Sequence, residues 1–372
     1  MEPRIRPFAQ AQRLIVKVGS ALLVDADGTP RRAWLDTLAA DIAVRRAAGQ
    51  QLAVVSSGAI ALGARRLGLK AGGRASLEDA QAAASVGQIA LAALWSEVLG
   101  ARQLTAAQLL LTLDDLDDRR RFLNAAATLD RLLGLGAVPV VNENDSVATG
   151  EIRFGDNDRL AARVAVAARA GAVLLLSDVD GLFTDDPRRD PAARLVPDVP
   201  DPDAPGVTLG GAGALGTGGM AAKVEAARLA SRAGVWLAVA GGRCDHPLAQ
   251  FLAHGHGTRF HPAARPRAGL RAWLGGRARV AGRLHVDAGA AAALRSGASL
   301  LPVGVRRAEG SFARGDVVAV VDPEGTVIAR GLAGYAAAEA ARAAGLKGDA
   351  LAQALGYAPR ATMIHRDHMV LL

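Results

Sequence analysis

The chain has 372 residues, 51% of them hydrophobic and 22% charged, which is enough to bury a core in two domains and too apolar for a disordered chain. No apolar run approaches the ~18–20 residues that span a bilayer, the N-terminus has no apolar signal region, and the lone cysteine, Cys244, excludes an intrachain disulfide. A cytoplasmic protein without a membrane partner is therefore expected, and its net charge of +8 rests on forty arginines and only four lysines. Where arginine is the compositional habit, charge alone argues little for a nucleic-acid partner. A retained lysine, by contrast, marks a position that needs a compact point charge.

Short apolar runs at 13–18, 51–56, 137–141, 172–176 and 235–240 read as strands covered on both faces. Helical patterns at 33–48, 77–99, 117–133, 158–170 and 220–233 alternate with them. Such alternation predicts an α/β fold, a mainly parallel sheet between two helix layers, with functional loops at the carboxyl ends of the strands. Residues 1–262 form this domain, and a proline- and glycine-bearing linker follows at 263–276. Beyond it, segments at 279–286, 299–305, 317–321 and 327–331 predict a small, mainly β domain over 277–372, with twelve basic and eight acidic residues.

Four strand ends carry the chemistry. Val16-Lys17-Val18-Gly19-Ser20 puts a lysine inside a buried strand, where it must pair or meet a ligand, and the Gly-Ser pair lets backbone approach an anion. Ser56-Ser57-Gly58-Ala59 runs from a strand into a helix start, a place where free amides bind anions, although a plain serine-capped turn explains it nearly as well. Asn142-Glu143-Asn144-Asp145 and Gly155-Asp156-Asn157-Asp158 form two polar loops, read together as a nest for a charged amino group or for active-site lysines. Residues 209–223, LGGAGALGTGGMAAK, form a glycine-rich loop entering a helix with Lys223 one turn inside it. Its GxGxxG match is not a dinucleotide fingerprint, because the preceding DPDAPGVTLG is not a buried strand. Backbone amides and a lysine at a helix start suit nucleotide phosphates. Two lysines steadied by an aspartate would neutralise a transferring phosphoryl group. The pairs His254/His256 and His365/His368 have metal-compatible spacing but read as solvated, so no protein-bound metal is expected.

The stretches IVKVGS, VSSGAIALG, PVVNENDSV, FGDND, DGLFTDDP, GTGGMAAKVEAA and the tail IHRDHMVLL resemble, in order and over nearly the whole chain, the bacterial glutamate 5-kinases. In that family an amino-acid kinase domain is followed by a PUA domain. The resemblance implies ATP-dependent phosphorylation of the γ-carboxylate of L-glutamate, the first step of proline biosynthesis. It also implies that Lys17 and Lys223 stabilise the transferring group and that Asp158 orients them. Ser57, Asp145 and Asn157 would bind glutamate. Lys17, Ser177, Asp178, Thr217, Gly218, Gly219, Met220, Ala221, Ala222 and Lys223 would hold ATP, with Mg²⁺ riding mainly on the phosphates. One departure is LLLSDVDGL, with Ser177 where the family often has threonine and Val179-Asp180 where it often has Gln-Lys. Homo-oligomers (tetramer or dimer) and feedback inhibition by proline are further expectations of the family.

Two other readings compete. One is a related kinase for acetylglutamate, aspartate or a nucleoside monophosphate. The other is an RNA-binding protein, since PUA-like domains occur in that setting. Against the second, 277–372 holds only Phe312, Tyr335 and Tyr357 as aromatics. Regulatory or structural duty is expected for that domain.

Overall fold

A computed structural model describes residues 5–25, 27–147, 156–187, 190–205, 219–263, 280–357, 359 and 362–372. The chain divides into two compact units, Met1–Pro266 and Arg267–Leu372. The expected linker 263–276 lies, except for its first residue, outside the described residues.

The first unit is built on an eight-stranded sheet ordered β3-β4-β2-β1-β5-β7-β8-β6. Its strands are β1 (Arg13–Val18), β2 (Gln51–Ser56), β3 (Ala106–Leu111), β4 (Val138–Glu143), β5 (Ala172–Ser177), β6 (Asp198–Val199), β7 (Trp236–Gly241) and β8 (Thr258–Phe260). The run from β3 through β7 is parallel throughout, and β8 pairs antiparallel with β7. Side chains alternate between the two faces of each strand. Leu14, Val16 and Val18 of β1 enter one core, beneath α3 (Arg32–Ala47), α5 (Leu77–Gly100) and α10 (Pro247–His254). Ile15 enters the other, with α7 (Arg119–Gly134), α8 (Asp156–Ala167) and α9 (Gly219–Arg232). By that alternation Lys17 lies on the α8/α9 face.

The chain runs outward from β1 to β2 and returns to lay β5 on the other side of β1. Neighbouring loops at the ends of β1 and β5 therefore diverge, which opens the crevice that α/β sheets use for ligands. The expected alternation of strands and helices, within a residue or two at most ends, is what the structure contains. The helix expected over 117–133 is α7, and a short helix that was not anticipated, α6 (Leu113–Asp117), precedes it. Thr112 and Asp115 form a capping box on α6, and Asp118, in an extended conformation, caps α7 through the Arg121 amide. Strand β3 was not anticipated. Its Ala-Ala-Gln-Leu-Leu-Leu run has helical composition and is only half-buried at the sheet edge, so pairing with β4 rather than propensity makes it a strand.

Helix α5 corrects the expectation about membrane-length segments. Its 24 residues are apolar enough on average to cross a bilayer, although polar residues interrupt the run. Leu91, Leu94 and Trp95 nevertheless pack it into the sheet core, as in the central helix of a globular domain.

The second unit has a five-stranded sheet, β10-β9-β11-β12-β13, from β9 (Gly282–Val286), β10 (Val305–Gly310), β11 (Val317–Val321), β12 (Val327–Leu332) and β13 (Met369–Leu371). The strand expected at 299–305 is replaced by a bridge from Leu300 to Ile364 and a 3₁₀ turn over Pro302–Gly304, and the strand proper begins at Val305. Helices α11 (Ala288–Arg295), α12 (Ala337–Ala343) and α13 (Gly348–Leu355), unforeseen in the sequence, close its core around Tyr335 and Phe312.

One crossing in the first unit fixes where the site can form. α4 (Ala59–Leu67) meets α5 backbone to backbone: a Cβ on Gly87 would lie 1.7 Å from the Ala59 carbonyl, and one on Gly63 1.8 Å from that of Ala83. Gly87→Ala must force the helices apart and should cost at least the ~1–3 kcal/mol typical of overpacking. A clear fall in the urea midpoint checks this, and an unchanged midpoint contradicts the packing described.

Candidate active site

Lys17 leaves the last turn of pleat of β1 and points to the face where α8 and α9 begin. Its Nζ lies 2.7 Å from Asp158 Oδ1, and Lys223 Nζ donates to Asp158 Oδ2 at 2.9 Å. One carboxylate thus holds two ammonium groups, one on each oxygen. All three side chains are buried, with Asp158 at 0% exposure and the lysines below a tenth. Burial pushes the Lys17 ammonium below its usual range, Asp158 opposes this, and the like charge of Lys223 reinforces it. For Asp158, burial pushes the carboxyl up, but the two ammonium charges outweigh it and hold it below its ordinary value.

The trio sits in the floor of a cleft of about 730 Å³. Ser57, Asp145 and Asn157 line one part of it, from the loops after β2 and β4 and the first turn of α8. Ser177 and Asp178, at the end of β5, line another, with Gly219 at the start of α9. Gly58 turns the chain from β2 into α4 at φ +112°, and a Cβ there would strike Leu23 Cδ2 at 2.7 Å, so glycine is required. The Ser57 amide donates to the Val18 carbonyl at 3.2 Å, which ties this turn to the end of β1. Asn157 Nδ2 donates to Ser57 Oγ at 2.9 Å and to Asn142 Oδ1 at 3.1 Å, while its own Oδ1 is buried without a partner.

Of the residues expected to hold a nucleotide, Ala221 and Ala222 lie in the first turn of α9, and Met220 turns its side chain into the core instead of the cleft. Thr217, Gly218 and most of the 209–223 loop lie outside the described residues, as do Phe154 and Gly155. Sequence reading missed Gln88, on α5, whose Oε1 accepts from Asn142 Nδ2 at 2.8 Å. The available signal was a polar side chain directly after an interior glycine of a largely apolar helix.

Similarity to known proteins agrees with this architecture. The profile of the amino acid kinase family matches residues 12–239, and that of the PUA domain matches residues 282–355. The fold is thus that of an amino acid kinase carrying a C-terminal PUA domain. The chain is 60% identical to the glutamate 5-kinase of Sphingopyxis alaskensis over 98% of its length and 99% of that protein's. It is 59% identical to that of Novosphingobium aromaticivorans, over 97% and 96%. Among solved structures, UMP kinase from Bacillus anthracis is 16% identical, with a TM-score of 0.47, over 68% of this chain and 97% of that one. The chain belongs to the amino acid kinase family and, within it, to the glutamate 5-kinases.

Asp158 should act as the charge-balancing centre of stability in this region. Because its folded value is depressed, its contribution is complete above the unfolded value of 3.8 and is lost as pH falls through the folded one. Asp158→Asn should cost roughly 3–5 kcal/mol at pH 7, as breaking a buried pair does. In urea titrations the gap to wild type should narrow below pH 3.8. A gap of the same size at every pH contradicts the charge assignment.

Proposed function

We infer that this protein uses ATP to phosphorylate the γ-carboxylate of L-glutamate, giving glutamyl 5-phosphate and ADP for proline biosynthesis. The observation that carries this reading is the lysine–aspartate–lysine trio at the floor of one cleft. The same cleft has amide and hydroxyl groups toward the β2/β4 side and Ser177 and Asp178 toward β5. A carboxylate nucleophile is already ionised at neutral pH, so the reaction asks for no general base. It asks for alignment and for neutralisation of the negative charge on the transferred oxygens.

In this reading Lys17 and Lys223 flank the migrating phosphoryl group, and Asp158 keeps their ammonium groups from repelling each other apart. Ser57, Asp145 and Asn157 receive glutamate. Ser177, Asp178 and residues 217–223 receive ATP, with the N-terminal end of α9 adding positive potential toward the phosphates. Mg²⁺, which neutralises phosphate charge, rides mainly on the phosphates of ATP in this reading.

Domain limits of 1–262 and 277–372, cytoplasmic location, homo-oligomerisation and inhibition by proline belong to the same proposal and rest on sequence and family resemblance. For the PUA domain we favour regulatory or structural duty over RNA binding. Of its three aromatics, Phe312 and Tyr335 are buried and only Tyr357 reaches the surface. Several of its arginines are already paired, such as Arg306 with Asp287 and Arg307 with Glu309.

Hydroxamate trapping with L-glutamate, ATP and Mg²⁺ tests the assignment. Wild type should form the hydroxamate from glutamate and not turn over acetylglutamate. Lys17→Ala and Lys223→Ala should each lose about 10²–10³-fold in kcat, the scale of removing one preorganised charge-stabilising donor. Turnover of acetylglutamate in place of glutamate, or near-full activity in either variant, contradicts it.

A further inference from the structure

Glutamate brings three charges to the cleft, and the residues assigned to it above answer two of them. Its γ-carboxylate is the nucleophile and faces the phosphoryl group between Lys17 and Lys223. Of Ser57, Asp145 and Asn157, only Asp145 is charged, and its sign suits the ammonium group. The α-carboxylate has no counterion among these. Among the described residues that line the cleft, the one remaining cation is Arg74.

Arg74 directly follows a short 3₁₀ turn, Lys70–Gly73, in the connection between α4 and α5. Ala71, Gly72 and Gly73 are left-handed in succession, at φ +50°, +61° and +75°. A left-handed alanine is a strained choice, and such residues cluster at ligand sites. Gly73 is buried, and a Cβ on it would lie 2.9 Å from Ala64 Cβ, 3.1 Å from Ala83 Cβ and 3.5 Å from Ile60 Cγ2. The turn is thus wedged between α4 and α5, and the Arg74 amide closes it by donating to the Ala71 carbonyl at 3.2 Å. Ile60 stands in the first turn of α4, just after Ser57 and Gly58, so the base of the Arg74 side chain is anchored near the glutamate end of the cleft. Ile60 and Ala61 line the cleft as well, and α4 has no side-chain cap, which leaves its leading amides without an intrahelical partner.

We propose that Arg74 is a specificity-determining residue: its guanidinium receives the α-carboxylate of the substrate, assisted by the leading amides of α4. A planar guanidinium and a carboxylate match as a bidentate, charge-assisted pair. An acid with a neutral group at that position forfeits the pair while keeping its γ-carboxylate and its ammonium group. The proposal rests on the glutamate reading above and supplies the partner for the part of glutamate that reading leaves unanswered.

The test sets L-glutamate against L-isoglutamine, which has a neutral carboxamide in place of the α-carboxylate and keeps the γ-carboxylate. Hydroxamate trapping on the full chain follows both compounds for wild type, Arg74→Met and Arg74→Lys. Calorimetric dissociation constants replace KM should isoglutamine turn over too slowly. Wild type should favour glutamate. In R74M the KM for glutamate should rise about ten- to a hundredfold, the scale of a lost hydrogen bond between charged groups. The KM for isoglutamine should stay within about threefold of wild type. R74K should recover part of the loss, since it keeps the charge without the planar fork. A purely structural role would raise both KM values together and leave the preference between the two compounds as in wild type. Arg74→Gln repeats the comparison should R74M melt early. A glutamate KM unmoved in R74M, or equal rises for both compounds, overturns the proposal while leaving the functional reading intact. A wild type that forms no hydroxamate from glutamate overturns both.

Discussion

A single buried carboxylate, Asp158, holds two lysines that the chain supplies from positions more than 200 residues apart. Two ammonium groups in a low-dielectric pocket repel, and burial alone disfavours each of them. Asp158 gives one oxygen to each, and the cluster retains a net charge of +1. That surplus suits a site meant to meet an anion. It is held by β1, α8 and α9 together, so the geometry exists only when the sheet and both helices of that face are assembled.

The sheet accounts for the placement. Period-two alternation puts Lys17 on the α8/α9 face, because its neighbours Val16 and Val18 are committed to the opposite core. The reversal of strand order between β1 and β5 separates the loops above it and leaves room for ligands on both sides. Glycine at 58 and 87 does different work in each place. At 58 it permits a left-handed backbone above the cleft. At 87 it lets α5 approach α4 closely, beside the residue whose side chain accepts from Asn142 at the end of β4.

Much of this was legible in the sequence. Rarity made the lysines conspicuous: among four, two stood beside glycine-bearing loops, and these are the two that converge. Asp158 was legible as the counter-acid for the same reason that two buried cations require one. Strand β3 was not, since Ala and Leu speak for a helix and only the neighbouring β4 decides otherwise. The short helix α6 was missed too, because its five residues are too few to show a period and a capping box at Thr112 and Asp115 starts it. Gln88 was hardest to see. Its meaning comes from an acceptor placed 54 residues away in sequence from Asn142, and no local period reports that. In the second unit, alanine-rich helices were overlooked because glycine-separated valine runs dominated the pattern.

The scarcity of lysine offers a direct observation of the central claim. With ¹⁵N-labelled lysine the protein should give four Nζ signals, from Lys17, Lys70, Lys223 and Lys347, of which Lys70 and Lys347 are exposed. Adding a non-hydrolysable ATP analogue with Mg²⁺ should move the Lys17 and Lys223 signals together and leave the other two in place. Movement of only one of that pair, or of neither, would mean that the two ammonium groups do not share one phosphoryl site.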